Sequence, residues 1–373
     1  MSGDKLPDIR ELSFPDLQRF FQENNEKSFH ARQVYDWLWK KACHSFNEMT
    51  DLSKSARKLL TDHFSFNTAV PEIIQKSSDG TIKAGFRLYD GLMIEGVLIP
   101  AAGRMTACIS SQVGCALACR FCATGRLGFT RNLTAGEIFD QVTHLSYLSS
   151  SVNTKKISDP LNGKHQTDRS ISPQVSNIVY MGMGEPFLNY ESVVESVEKI
   201  TSGDGLGISP QRITISSIGI PRMIRKMADD NPKYHFAISL HTAIEEKRNR
   251  IIPFNIQHPL NEITDALKYY KSVTGKRFTI EYIMIGDFND SISDAAALAQ
   301  FCRSFPVKIN IIEYNQVMHS DFRRADPVKT KKFIQFLESR NLVVNLRKSR
   351  GNDIDGACGQ LSLKWEVSDN GKG

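Results

Sequence analysis

The chain has 373 residues, 24% charged and 40% hydrophobic, with a formal net charge of +6. That length suits one large domain with a small one, or two ordinary ones, and the composition is that of a globular protein rather than a disordered tail. No apolar run approaches the ~18 residues of a membrane span, and Met1–Arg10 lacks the apolar core of a secretory signal, so a cytoplasmic protein is expected.

Residues 1–70 read as helical. Phe14–Phe21, Ala31–Trp39 and Ser53–Leu60 space apolar residues three and four apart. Aromatic and basic residues alternate around Trp37, Trp39, Lys40 and Lys41, which suits a small nucleic-acid-binding module; a helical bundle whose tryptophans fill its own core reads equally well. Residues 71–102 turn to strand texture, with Ile82–Leu88 and Leu92–Ile99 broken by the hairpin signal Tyr89-Asp90-Gly91.

From residue 103 strand-like runs alternate with helix-like ones. The expected strands are Thr106–Ser110, Asn177–Met181, Arg212–Ser216, His235–Leu240, Phe278–Ile285 and Lys308–Glu313; Thr134–Leu148 is a helix with a Thr134/Glu137 capping box. Six βα repeats predict a parallel sheet, either doubly wound or a barrel, with ligands at the strands' C-terminal ends. The polar stretch 149–174 reads as a long exposed loop.

Seven cysteines read as thiols, metal ligands or redox groups rather than a disulfide framework. Three of them, Cys115, Cys119 and Cys122, fall in a C-x3-C-x2-C run after the first strand of the repeat. Structural zinc takes four closed ligands and a [4Fe–4S] cluster normally four thiolates, so three leave one iron open to a substrate atom. Zinc completed by a further thiolate, in a non-catalytic RNA-binding protein, is the competing reading. Polar or small residues follow the later strands: Gly182-Met-Gly184-Glu185-Pro186, Ser216-Ser217, Ser239-Leu240-His241 and Asn315. Cys43 and Cys302 read as small buried hydrophobes. Cys358, between Ala and Gly in a glycine-rich segment after a basic strand, is a better candidate for a reactive thiolate. Basic clusters at Lys40-Lys41, Arg323-Arg324, Lys329–Lys332 and Arg347–Arg350 read singly as solvated faces and together as an RNA-facing surface.

The runs Cys108–Gly125, Gly182–Pro186, Ser239–His241 and Arg350–Gln360 closely resemble the radical S-adenosylmethionine (SAM) RNA methyltransferases that act on carbon 2 of adenine. Relatives acting on carbon 8 share nearly every motif. The resemblance implies an α/β fold, a partial (β/α)6 TIM-like barrel, with a helical RNA-binding domain over 1–70, a β connector over 71–102, the barrel over 103–350 with an insertion at 149–174, and a C-terminal loop over 351–373. It implies one [4Fe–4S] cluster on Cys115, Cys119 and Cys122, and two SAM molecules per turnover. SAM would be held by Gly184 and Glu185 at its amino group, by Ser216, Ser239, Leu240 and His241 near carboxylate and ribose, and by Asn315. Carbon 2 is electrophilic and has no lone pair to attack SAM, so the implied route methylates Cys358 first. A methylene radical on Cys358 then adds to the base, and Cys108 releases the product by forming a disulfide with Cys358. Glu95 would be the proton acceptor, although its own surroundings read as an exposed charge on a strand. The implied partners are 23S ribosomal RNA, tRNA and an electron donor such as flavodoxin, with the enzyme a monomer.

Overall fold

A computed structural model describes residues 6–101, 103–153, 175–318 and 320–363. The chain opens with helices α1 (Phe14–Glu23), α2 (Phe29–Tyr35, running on into a π turn, Asp36–Lys40) and α3 (Lys54–His63). Serines start the first and third: Ser13 Oγ accepts from the Asp16 amide at 3.3 Å and Ser53 Oγ from the Ala56 amide at 3.0 Å. Leu17, Phe21, Val34, Leu38 and Leu60 are buried among them. The core reading of the aromatic run holds for Trp39, which is buried and meets Phe139 edge-on with centroids 5.2 Å apart. Trp37 lies farther out, its ring 3.7 Å from Lys41 Nζ.

Arg10 locks this module to the rest of the chain. Its guanidinium is buried, 2.8 Å from Asp140 and 3.6 Å from Asp8, and donates to the Asn67 carbonyl. Removing one partner of such a group leaves buried charge uncompensated. Arg10→Ala is expected to lower the unfolding free energy by about 3–5 kcal/mol, measured by urea denaturation, against a smaller loss for the exposed-pair variant Lys58→Ala.

An antiparallel extension follows: β1 (Ala69–Lys76), β2 (Ile82–Leu88), β3 (Met93–Ala101) and β4 (Arg104–Cys108). β5 (Gln112–Gly114) and β6 (Phe129–Asn132) make a separate two-stranded ribbon. The repeat then supplies β7 (Asn177–Tyr180), β8 (Ile213–Ser217), β9 (His235–Ser239), β10 (Phe278–Met284), β11 (Val307–Glu313) and β12 (Val343–Arg347). All ten strands outside the ribbon form one sheet in chain order, and β4 and β7–β12 run parallel. A doubly wound sheet reverses its order at a switch point. This one does not, which decides for the barrel, left open because β1 and β12 do not pair.

Two parts differ from expectation. β12 adds a seventh parallel strand to the six foreseen, and β1 turns the foreseen hairpin into a three-stranded leaf. Helix α4 (Ala135–Asn153) has the expected Thr134/Glu137 capping box, with contacts of 3.0 and 3.2 Å, but continues through Ser149, where the loop was expected to begin. Of the polar stretch, residues 154–174 lie outside the described residues, as do residues 364–373 of the C-terminal segment.

Candidate active site

The three motif cysteines lie on the loop joining the ribbon strands, closed at its base by the Cys115 amide on the Gly128 carbonyl at 2.7 Å. Burial pushes the Cys115 thiol up to about 12 and holds Cys119 well above its ordinary range; the negative charge of Cys122 and Cys115 adds to the shift at Cys119. Such thiols ionise readily only when a cation arrives, as metal binding supplies. Among the described residues no three His, Cys, Asp or Glu side chains close in enough to hold one metal ion. The three thiols are close enough to interact electrostatically.

Arg248 is a buried cation beside this loop that sequence reasoning missed. It donates to the Leu240 carbonyl at 3.1 Å and to the Ile218 carbonyl, and its charge opposes the upward shift of Cys119. Its run, Glu245-Glu-Lys-Arg248-Asn-Arg250, reads as a solvated helix, so no local signal marks it.

The expected SAM residues stand at the C-terminal ends of the parallel strands. Glu185 is buried after β7, and burial raises it to about 7 against the Ile218 and Phe187 amides, which donate to its two oxygens at 2.9 and 3.0 Å. No cation pairs with it among the described residues, so an incoming ammonium would supply the missing charge. Gly184 has φ +99°, and a Cβ there would come within 2.5 Å of Gln112, so only glycine fits. Ser216 and Ser239 face each other across β8 and β9, oxygens 2.9 Å apart. Leu240, next in the chain after Ser239, is buried. His241 is buried and packs edge-on against Phe121 of the cysteine loop, centroids 4.7 Å apart; burial lowers it to about 3, so it is neutral. Asn315 is buried after β11 and donates to the Cys358 carbonyl at 3.1 Å, and among the described residues its own Oδ1 accepts no hydrogen bond. An unsatisfied buried acceptor beside these groups suits a ligand donor.

The C-terminal segment bridges the parts. Ala123 N–H donates to the Gly359 carbonyl and Thr124 Oγ1 to the Leu361 carbonyl, each at 2.7 Å, joining the cysteine loop to the loop bearing Cys358. Cys358 is exposed, as expected, and with Cys108 and Cys122 it lines a cavity of about 530 Å³ inside the open barrel. Burial pushes Cys108 up, and the charge of Cys358 adds to the shift; the packed surroundings and Glu281 of β10 push Cys358 up, while Arg347 opposes. Arg104, Arg212, Lys308, Arg347, Lys348 and Arg350 line the same cavity, with no carboxylate among the described lining residues. Of the basic clusters, only the one at 347–350 is in this wall.

Glu95 is fully buried in β3, which corrects its reading as an exposed charge. The leaf that carries it is covered by α4, and the Ser362 amide, 267 residues away in sequence, donates to its Oε2 at 2.8 Å.

Residues 7–65 match the ribosomal RNA large subunit methyltransferase N-terminal domain, and residues 109–301 match the radical SAM superfamily. A curated relative from Christiangramia forsetii, named a probable dual-specificity RNA methyltransferase RlmN, is 48% identical over 97% of both chains. The chain belongs to the RlmN family. The RlmN of Anaeromyxobacter sp. is 38% identical, over 97% of this chain and 92% of its own. The crystal structure of a radical SAM methyltransferase from Sphaerobacter thermophilus superposes with a TM-score of 0.85 at 33% identity, covering 95% of this chain and 99% of that one. This RlmN-family chain is therefore a radical SAM methyltransferase that uses a [4Fe–4S] cluster and SAM, and the zinc-protein reading falls.

Proposed function

We propose that this enzyme methylates carbon 2 of one adenine in the peptidyl-transferase centre of 23S ribosomal RNA and of the adenine beside the tRNA anticodon. The observation that carries this reading is the shared cavity: two thiols outside the cysteine trio, in a wall of six cations, tied by hydrogen bonds to the loop of the trio. A polyanionic strand suits that wall, and a target base must leave its stack to reach the thiols.

Cys115, Cys119 and Cys122 would hold the cluster, with Arg248 as the buried counter-charge. Bound there, the cluster supplies the electron that cleaves SAM and so yields the radical that activates a methyl group. Glu185, Ser216, Ser239, His241 and Asn315 orient SAM, with Gly184 allowing close backbone approach and Leu240 walling the site. Cys358 is the methyl acceptor, a thiolate nucleophile in the sense of covalent catalysis. Cys108 resolves the adduct by attack on the Cys358 sulfur, and Glu95 takes the carbon-2 proton. Residues 1–70 act as an accessory RNA-binding module, 71–102 as the leaf that carries Glu95, 103–350 as the barrel and 351–373 as the thiol-bearing loop. The reading includes a cytoplasmic monomer served by an electron donor such as flavodoxin; among the described residues no helix is long and apolar enough to cross a membrane.

Anaerobic reconstitution with iron, sulfide, reductant and SAM, followed by mass spectrometry of nucleosides from rRNA and tRNA, tests this. 2-Methyladenosine in both RNAs is the expected result. 8-Methyladenosine would transfer the chain's chemistry to carbon 8, and methylation confined to one RNA would remove the other substrate.

A further inference from the structure

Register places four side chains on one face of the antiparallel leaf. Lys83 of β2 stands directly opposite Val97 of β3, and Val97 stands directly opposite Cys108 of β4. Glu95 lies two residues before Val97, hence on the same face and diagonal to both Lys83 and Cys108. Val97 and Cys108 line the cavity, so this face is the one turned to the active site.

Lys83 and Glu95 are both buried, with Nζ 3.5 Å from Oε1. Glu95 Oε2 is occupied by the Ser362 amide, whereas Oε1 accepts no hydrogen bond among the described residues. Both groups are withdrawn from solvent, Glu95 at 0% and Lys83 at 1% exposure, and apolar Val97 stands between Lys83 and Cys108 on their face. In such a setting a buried ion pair is no aid to stability, since apolar residues of similar size serve as well or better. Stability therefore does not account for the pair, whereas the chemistry of a proton acceptor does. A carboxylate this deeply buried is driven toward its neutral form, and a neutral acid cannot accept a proton.

We propose that Lys83 is the positioning residue of the proton acceptor: its ammonium keeps the Glu95 carboxylate ionised while leaving Oε1 free to take the proton. This rests on the reading that Glu95 is the acceptor. The step is a simple transfer: the carbon-2 proton of the adenine adduct passes to Oε1, the bonding pair stays with the ring, and the neutral acid remains beside the Lys83 ammonium. Burial raises Glu95 while Lys83 and the Ser362 and Leu363 amides oppose that shift. The groups that face it are Lys83 from β2, Cys108 from β4 and those two amides from the C-terminal segment.

The test uses full-length, anaerobically reconstituted enzyme and an rRNA fragment containing the target adenine. Lys83→Met, Lys83→Gln, Lys83→Arg and Glu95→Gln are compared by iron content, by S-methylation of Cys358, and by the pH profile of RNA methylation. Lys83→Met and Lys83→Gln are expected to keep cluster and S-methylcysteine but to lose about 10²–10³-fold in RNA methylation, the scale of a lost general base. The sign of the pH effect follows from the charge. With Lys83 gone, Glu95 is protonated up to higher pH, so the acid limb of the profile moves up by about 1–3 units and activity recovers as pH rises. Lys83→Arg restores rate and profile. Full activity with an unshifted limb in a neutral variant overturns the proposal. So does loss of fold in both neutral variants with activity intact in Lys83→Arg at a shifted limb, since that confines Lys83 to a structural role. Normal methylation by Glu95→Gln would instead sink the underlying assignment of Glu95 and leave the ion pair without a catalytic purpose.

Discussion

Cys108→Ala enzyme purified from cells is expected to carry RNA covalently attached through Cys358, while Cys358→Ala enzyme carries none. Both thiols line the same cavity, but on different supports: Cys108 ends strand β4, whereas Cys358 sits on a loop. If Cys358 accepts the methyl group and then bonds to the base, removing it stops the reaction before any link to RNA exists. If Cys108 only resolves that link, removing it strands the adduct. Each change should reduce multiple-turnover methylation by about 10³-fold or more, the scale of losing a covalent nucleophile. Peptide mass spectrometry should find a methyl group on Cys358 of the wild-type enzyme and none on Cys108. A nuclease-sensitive band of retarded mobility on a denaturing gel should appear for Cys108→Ala alone. An RNA-free, fully active Cys108→Ala protein would falsify this division of labour.

Cys119→Ala is expected to remove the brown chromophore and all RNA methylation, leaving the fold intact. Cys119 is buried and held well above the ordinary thiol range, so as a cluster ligand it would ionise only with iron bound. Two remaining thiolates cannot hold a cluster that already has one ligand fewer than the usual four. Iron analysis should fall from about four per chain toward zero, and visible absorbance should vanish while far-ultraviolet circular dichroism is unchanged. Full iron content in this variant would take Cys119 out of the ligand set.

The parallel strands found from sequence were legible because each carries a short run of aliphatic residues. The two missed strands depart from that rule. β1 carries Pro71 and Glu72 at a register shift, and after buried Ala69 its residues are half-buried or exposed at the sheet's outer edge. β12 is weakly buried throughout: Val343, Leu346 and Arg347 are exposed, Val344 and Asn345 half-buried, and Asn345 and Arg347 line the cavity. A strand that points polar groups inward reads as a surface loop until the cavity is known. The site divides similarly. The cysteine trio and Gly184-Glu185 stand out as candidates from local spacing alone. Arg248, Lys83 and the burial of Glu95 depend on partners brought from far along the chain, as Ser362 is to Glu95, and no window of sequence contains that contact.

The reaction proposed for this chain needs Cys358 to meet SAM, then the base, then Cys108, and the single sheet limits how these meetings can occur. Glu95 and Cys108 ride on hydrogen-bonded neighbours, β3 and β4, and the SAM residues stand at or just after the C-terminal ends of β7, β8, β9 and β11 of the same sheet. The spacing of Glu95 and Cys108 is a matter of strand register and does not change without breaking the ladder. Cys358 alone among the reacting groups hangs from a loop, with left-handed residues at Gly351, Asp355 and Gly359 bending its backbone. The catalytic cycle is thus a travelling carrier visiting fixed stations, and the freedom it needs is confined to about ten residues of backbone. Substitutions that stiffen that loop should slow the passage between stations while leaving each station's own chemistry whole.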